Sequence, residues 1–270
     1  MKKIVAASAA FLMLAAFGAA HAGIVVNEQE TIDQGTGKTT TRERTVMIQG
    51  NKQKMVTDRA EVVTDLDKGM MYLMNPAKKV YLEMPFPPTG PMAKMMSQRM
   101  SSLHFKKSGP AKTVAGYSCQ QYAGAGSMMG NQYSVNGCFS TKAPGARDFD
   151  RFQKAMAAKV KGTPMEMQGQ VPDGIPMQLD STTKVTNFSM PGMSPDQAAK
   201  IKQMLANRPP VVSKTVVTAI TSKTLPDDTF VVPAGYTRQE LPQQGPTGAP
   251  AMSGGASSAP APAPAPAPAN

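Results

Sequence analysis

Hydrophobic positions along the chain fall into short strand-like runs, broken by three stretches with helical spacing. Segments 24–31 and 39–49 are rich in Thr, Val and Ile and are separated by Gly35-Thr36-Gly37, which predicts two strands and a turn. Gly50-Asn51 is a hairpin-type pair, and 54–66 reads as the next extended stretch. Asp67-Lys68-Gly69 suits a short loop with glycine at a left-handed position. Segments 70–74 and 80–84 flank the turn signal Asn75-Pro76. Consecutive hairpins of this kind predict one curved antiparallel sheet.

Pro85-Phe86-Pro87-Pro88 closes that run. Between 91 and 103, Met92, Met95, Met96, Met100 and Leu103 form the apolar stripe of a helix, with Lys94, Gln98 and Ser101 on its other side. Strands resume over 103–107, 117–123 and 132–141. A second helix is predicted over 147–160, burying Phe149, Phe152, Met156 and Val160. Segment 175–185 reads as extended. Ser194-Pro195-Asp196-Gln197 combines a cap, a first-position proline and a capping-box glutamine. It predicts a third helix that turns Ile201, Met204 and Leu205 inward and stops at Pro209-Pro210. Two more strands are expected, over 211–224 and 230–232. The tally is α+β: a curved antiparallel sheet with about three helices on one face.

The first 22 residues carry a different message. Lys2 and Lys3 precede an apolar run over 4–17, and Ala20-His21-Ala22 places small residues where a signal peptidase cuts. Cleavage after Ala22 and export to a Gram-negative periplasm are expected, with no transmembrane segment in the mature chain. At the other end, 243–270 is uncharged and finishes in alternating Ala-Pro, the composition of a disordered, extended tail. One β-rich domain over 23–242 remains between them.

Losing Lys2 and Lys3 from 29 basic residues leaves 27 against 18 acidic ones, a net charge of +9. The excess is concentrated. From 84 to 147 there are seven Lys or Arg (Lys94, Arg99, Lys106, Lys107, Lys112, Lys142, Arg147) and no acid. Such a stretch either meets an anionic membrane surface or is a solvated basic face. Nucleic acid is not expected outside the cytoplasm, and no recognition motif is present.

Cys119 and Cys138 are the two cysteines. In an oxidising compartment an even pair is expected to bridge, and closing the loop between them contributes about 3 kcal/mol. Catalytic motifs are weak. His104 is the one histidine left after cleavage and lies in the acid-free stretch, which argues against a triad and against histidine-based zinc. Gly116-Tyr117-Ser118 lacks the final glycine of a nucleophile elbow, and Ser181-x-x-Lys184 has none of the companion motifs of penicillin-binding enzymes. No enzyme, cofactor or metal is therefore assigned.

Methionine is the compositional anomaly, 22 in all. Soft thioethers bind Cu(I), and Met71-x-x-Met74, Met92-x-x-Met95, Met165-x-Met167 and Met190-x-x-Met193 have usable spacing. Methionine is equally a pliable residue of cores and grooves, which explains the 92–100 stripe without a metal. An amphipathic, Met-rich helix over a curved sheet makes an adaptable apolar pocket. Met92, Met95, Met96, Met100 and Leu103 are the expected lining. Lys94, Arg99, Lys106 and Lys107 are the expected contacts for an anionic headgroup.

One string is recognisable: Gly109-Pro110-Ala111-Lys112-Thr113-Val114-Ala115-Gly116-Tyr117-Ser118-Cys119-Gln120-Gln121-Tyr122. With Gly174-Ile175-Pro176-Met177 and Phe230-Val231-Val232-Pro233-Ala234-Gly235-Tyr236, it resembles an exported bacterial family, domain of unknown function 4412, from about 35 to 236. That family in turn looks like the outer-membrane lipoprotein carrier and receptor fold, a half-open barrel with helices plugging its mouth. The resemblance implies a lipoprotein-carrier-like half-barrel whose helices cover the concave face, and brings no catalytic residues. The chain departs from the carriers in lacking Trp and in its Ala-Pro tail and Met-rich stripe. The leading expectation is a non-enzymatic periplasmic protein that holds a lipid, acyl chain or other hydrophobic ligand. A Met-based Cu(I) buffer and an envelope stress or structural protein without a small ligand are the alternatives.

Overall fold

Extended, β-branched segments dominate the chain because each of them has a neighbour to pair with. The computed structural model describes residues 23–90, 103–128, 131–163, 166, 171–184 and 194–240. Its strands are β1 (Gly23–Asp33), β2 (Thr39–Gln49), β3 (Lys52–Thr57), β4 (Glu61–Asp65), β5 (Met70–Asn75), β6 (Val80–Pro85) and β7 (Leu103–Lys107). There follow β8 (Lys112–Val114), β9 (Tyr117–Met128), β10 (Asn131–Ser140), β11 (Ile175–Lys184), β12 (Val211–Lys223) and β13 (Thr237–Gln239). They form one large open curved sheet in the order β13-β6-β5-β4-β3-β2-β1-β12-β11-β10-β9-β7, with β8 paired to β9. Every pairing is antiparallel except β13 with β6.

Two α-helices are present among the described residues, α1 (Ala146–Val160) and α2 (Pro195–Ala206), against the three expected. The remaining expected helix, over 91–103, lies outside the described residues except for Leu103, which opens β7 and pairs with Gly126.

The sheet packs on both faces. On the first, α1 lays Phe152, which is fully buried, against Ile24, Val26, Ile48, Met177 and Val217. Burying one such aromatic is worth about 2–3 kcal/mol. The helix begins at Gly145 (φ 75°), whose backbone presses on Ile24 so closely that a Cβ there would sit 1.7 Å from Ile24 Cγ2. Only glycine meets both demands. On the opposite face, Leu225 and Phe230 pack on Val63 and Met74, flanked by Val25, Met47, Tyr72 and Tyr81. Gln49 fixes that return segment by donating to the carbonyl of Leu225 (3.1 Å) and accepting its N–H (2.7 Å).

Several local expectations are corrected. The single stretch over 54–66 is two strands, turned where Thr57 N–H donates to the Ala60 carbonyl (2.9 Å) and Ala60 N–H to Thr57 Oγ1 (3.1 Å). Neither Gly nor Pro marks that turn; a threonine hydroxyl makes it. The strand expected at 230–232 does not form: Phe230 ends a 3₁₀ turn, Asp227–Phe230, and Val231 and Val232 belong to no strand. Phe230 is buried by that turn, and the edge strand is β13 instead. In α2 the capping box forms as read, Ser194 Oγ accepting from Gln197 N–H and Gln197 Oε1 from Ser194 N–H. Met204 points outward at 61% exposure, while Ile201 and Leu205 are half-buried.

Candidate functional site, the helix-covered face

Residues directly opposite in an antiparallel ladder project to the same face, and every second residue along a strand joins them. Val26 pairs with Val46, Val46 with Met55, Met55 with Val62, Val62 with Leu73 and Leu73 with Leu82. These six side chains therefore make one apolar row across six strands, on the face that carries α1. Helix α1 covers its Val26 end. Met55, Val62 and Leu82 are half-buried and Leu73 is 38% exposed, so the outer part of the row is a contiguous, incompletely covered apolar strip.

Next to this row the same face becomes charged. Continuing from Ile24 and Val26 in steps of two gives Glu28 and Glu30; continuing back from Ile48 and Val46 gives Arg44 and Arg42. Glu28 is paired with Arg44 and Glu30 with Arg42 in the ladder. Arg44 Nε lies 2.5 Å from Glu28 Oε2 and Arg42 Nε 3.5 Å from Glu30 Oε2, with Ser213 Oγ donating to Glu30 Oε1 (3.2 Å). Glu28 is only 5% exposed. Burial pushes its pKa above the ordinary carboxylate value, against the lowering pull of Arg44's charge and hydrogen bond. The guanidinium groups are more accessible than the carboxylates behind them.

Beyond β1 the face continues through β12, β11, β10, β9 and β7. Thr215, Leu179, Gly137 and Tyr122 follow Glu30 across the ladder, and Ser213, Ser181, Val135, Gly124 and Phe105 form the adjacent row. Glycine at 137 and 124 makes room for rings. A Cβ at Gly137 would lie 2.5 Å from Phe139 Cε2, and one at Gly124 3.1 Å from Phe105 Cδ1. Phe139 meets Phe105 and Tyr122 edge to face, both at 5.7 Å between ring centres.

Met92, Met95, Met96, Met100, Lys94 and Arg99 lie outside the described residues. Leu103 sits on β7, on the helix-covered face in register with Gly126 and Tyr133. Lys106 and Lys107 are neighbours on β7 and so project to opposite faces, both exposed; only Lys107 shares the face of Leu103. Cys119 and Cys138 form a disulfide between β9 and β10, buried at the edge of the α1 core.

The geometry also removes several motifs. Met71 and Met74 are three apart on one strand and face opposite sides, with Met74 buried in the second core. They cannot chelate one ion. Met165, Met167, Met190 and Met193 lie outside the described residues. Among the described residues no group of three or more His, Cys, Asp or Glu is placed to hold a metal. Ser181 and Lys184 likewise face opposite sides of β11, so the Ser-x-x-Lys spacing makes no nucleophile–base pair there. No described helix is long and apolar enough to cross a membrane.

Residues 26–191 match a family described as Domain of unknown function (DUF4412). The chain belongs to this family. The match stops short of the 230–236 string that sequence reading had included. No curated protein matches the DUF4412 chain. Solved structures similar to it include that of LolA superfamily protein NE2245 from Nitrosomonas europaea, 8% identical, over 77% of this chain and 90% of that one at a TM-score of 0.29. A DUF1329 family protein from Desulfovibrio piger is 9% identical, over 78% of this chain and 90% of that one at 0.30. PNGF-II is 8% identical over 81% of this chain at 0.38, and the chain spans about a third (31%) of the PNGF-II length.

Proposed function

We propose that this protein binds the acyl chain of a lipid or similar amphiphile along the helix-covered face, in a non-catalytic, periplasmic role. The observation that carries the reading is the row Val26–Val46–Met55–Val62–Leu73–Leu82, with its outer members incompletely covered, lying beside the Arg42/Arg44 tier. A chain laid along the row gains about 0.8 kcal/mol for each CH₂ buried. A polar head at its end meets guanidinium groups oriented by Glu28 and Glu30. The Met92, Met95, Met96 and Met100 stripe supplies further thioethers by sequence, and thioethers adapt to ligands of different shape. A lipoprotein as cargo, a half-barrel shape and the basic residues Lys94, Arg99 and Lys107 as headgroup contacts belong to this same reading; Lys106, on the opposite face of its strand, drops out of it.

Displacement of a fluorescent fatty acid from delipidated protein tests it. Micromolar binding is expected for wild type, and Leu73→Asp should weaken it at least tenfold. Absence of binding to fatty acid, phospholipid and lipopeptide alike overturns the proposal.

A further inference from the structure

We infer that the outer face of α1 is a docking surface for an anionic phospholipid bilayer. At 3.6 residues per turn, Arg147, Arg151, Lys154 and Ala158 fall on one line along the helix, diametrically opposite Phe149, Phe152 and Met156. Lys161, one residue past the helix, continues the line, so the stripe is about 21 Å long. Arg147, Arg151, Lys154 and Lys161 are all exposed.

An outer face needed only for solubility mixes both signs. The line carries four basic residues, Arg147, Arg151, Lys154 and Lys161, flanked by Asp148 and Asp150, and neither acid stands free. Asp148 accepts from Arg151 Nη1 (3.0 Å), and Asp150 accepts from the N–H of Gly174 (2.7 Å), which ties it to the approach to β11. Beyond the helix, Asp173 approaches Lys154 at 3.6 Å with both side chains largely in water, a weak contact that a phosphate layer can replace. The charge sign and linear arrangement match a plane of phosphates better than a single anion.

Placement gives the surface its consequence. Helix α1 rests on the same face of the sheet as the apolar row, so its outer side and that row look the same way. A bilayer engaged by the stripe lies toward the ligand face. The inference stands whether or not the row binds lipid.

Co-sedimentation of delipidated protein with phosphatidylglycerol-containing and pure phosphatidylcholine vesicles tests it. Binding to the anionic vesicles alone is expected, weakening as salt rises. The exposed triple variant Arg147→Gln, Arg151→Gln, Lys154→Gln should bind at least tenfold more weakly while displacing fluorescent fatty acid as wild type does. The charge-matched control Lys38→Gln, Lys68→Gln, Lys78→Gln should lose less than twofold. An equal loss in both triple variants shows that net charge suffices and overturns the surface. So does failure of wild type to bind anionic vesicles. Leu73→Asp, which impairs only the ligand row, should leave vesicle binding intact.

Discussion

Glu28 and Arg44 face each other across β1 and β2 on the face that carries α1, joined through Arg44 Nε, with Glu28 almost wholly out of water. A carboxylate so placed is destabilising unless paired, and its partner is the more exposed of the two. The pair sits one ladder step beyond Val26, where the apolar row ends at β1.

The raised pKa of Glu28 fixes the sign of a pH effect. A carboxyl that holds its proton more tightly when folded contributes stability that is complete below its unfolded pKa and is lost as pH rises through the folded value. Urea denaturation of wild type and Glu28→Gln at pH 4 and pH 7 should show wild type losing stability relative to the variant at the higher pH. A gap that stays constant, or moves the other way, contradicts the burial assigned to Glu28.

Removing Arg44 alone strands that carboxylate. Arg44→Met should cost about 3 kcal/mol at pH 7, whereas the double change Glu28→Met, Arg44→Met should recover most of it. A double-mutant cycle by chemical denaturation checks this, and additive losses would show that the two residues are not coupled.

The α1 contact makes its own prediction. Phe152→Ala should destabilise by about 3–5 kcal/mol, because the ring is fully buried among Ile24, Val26 and Met177. Gly145→Ala should also be strongly destabilising, since it combines a left-handed backbone with a collision against Ile24. Thermal melts distinguish these from exposed changes such as Ala158→Ser, which should be near neutral.

Joint replacement of Cys119 and Cys138 by Ala should lower stability by about 3 kcal/mol without altering the β9–β10 register, which the ladder specifies independently. Hydrogen exchange of β9 and β10 amides in the oxidised and substituted proteins measures both effects.

Sequence reading reached the strands of the meander, the helix carrying Phe152, the Ser194–Gln197 box and the disulfide, because each has a local signal. It missed the charged tier. Asn27-Glu28-Gln29-Glu30 and Arg42-Glu43-Arg44 are unbroken polar runs, and period two says which residues share a face and not which face is covered. The clue was present: counting in twos from Ile24 and from Ile48 lands on the four charges. Met204 was turned inward on helical spacing alone, which specifies a stripe only where something packs against it. The turn at 58–60 escaped because a threonine side chain, with no Gly or Pro, closes it.

Photolabelling reads out whether an acyl chain lies along the row from Val26 to Leu82. Delipidated protein is irradiated with a diazirine-bearing fatty acid and the adducts are mapped by peptide mass spectrometry. Adducts concentrated on β3–β6, suppressed by excess unlabelled fatty acid and lost in Leu73→Asp, are the predicted result. Labelling that falls instead on the shallow depression of about 270 Å³ lined by Lys200, Gln203, Met204 and Asn207, or that unlabelled fatty acid fails to suppress, contradicts it.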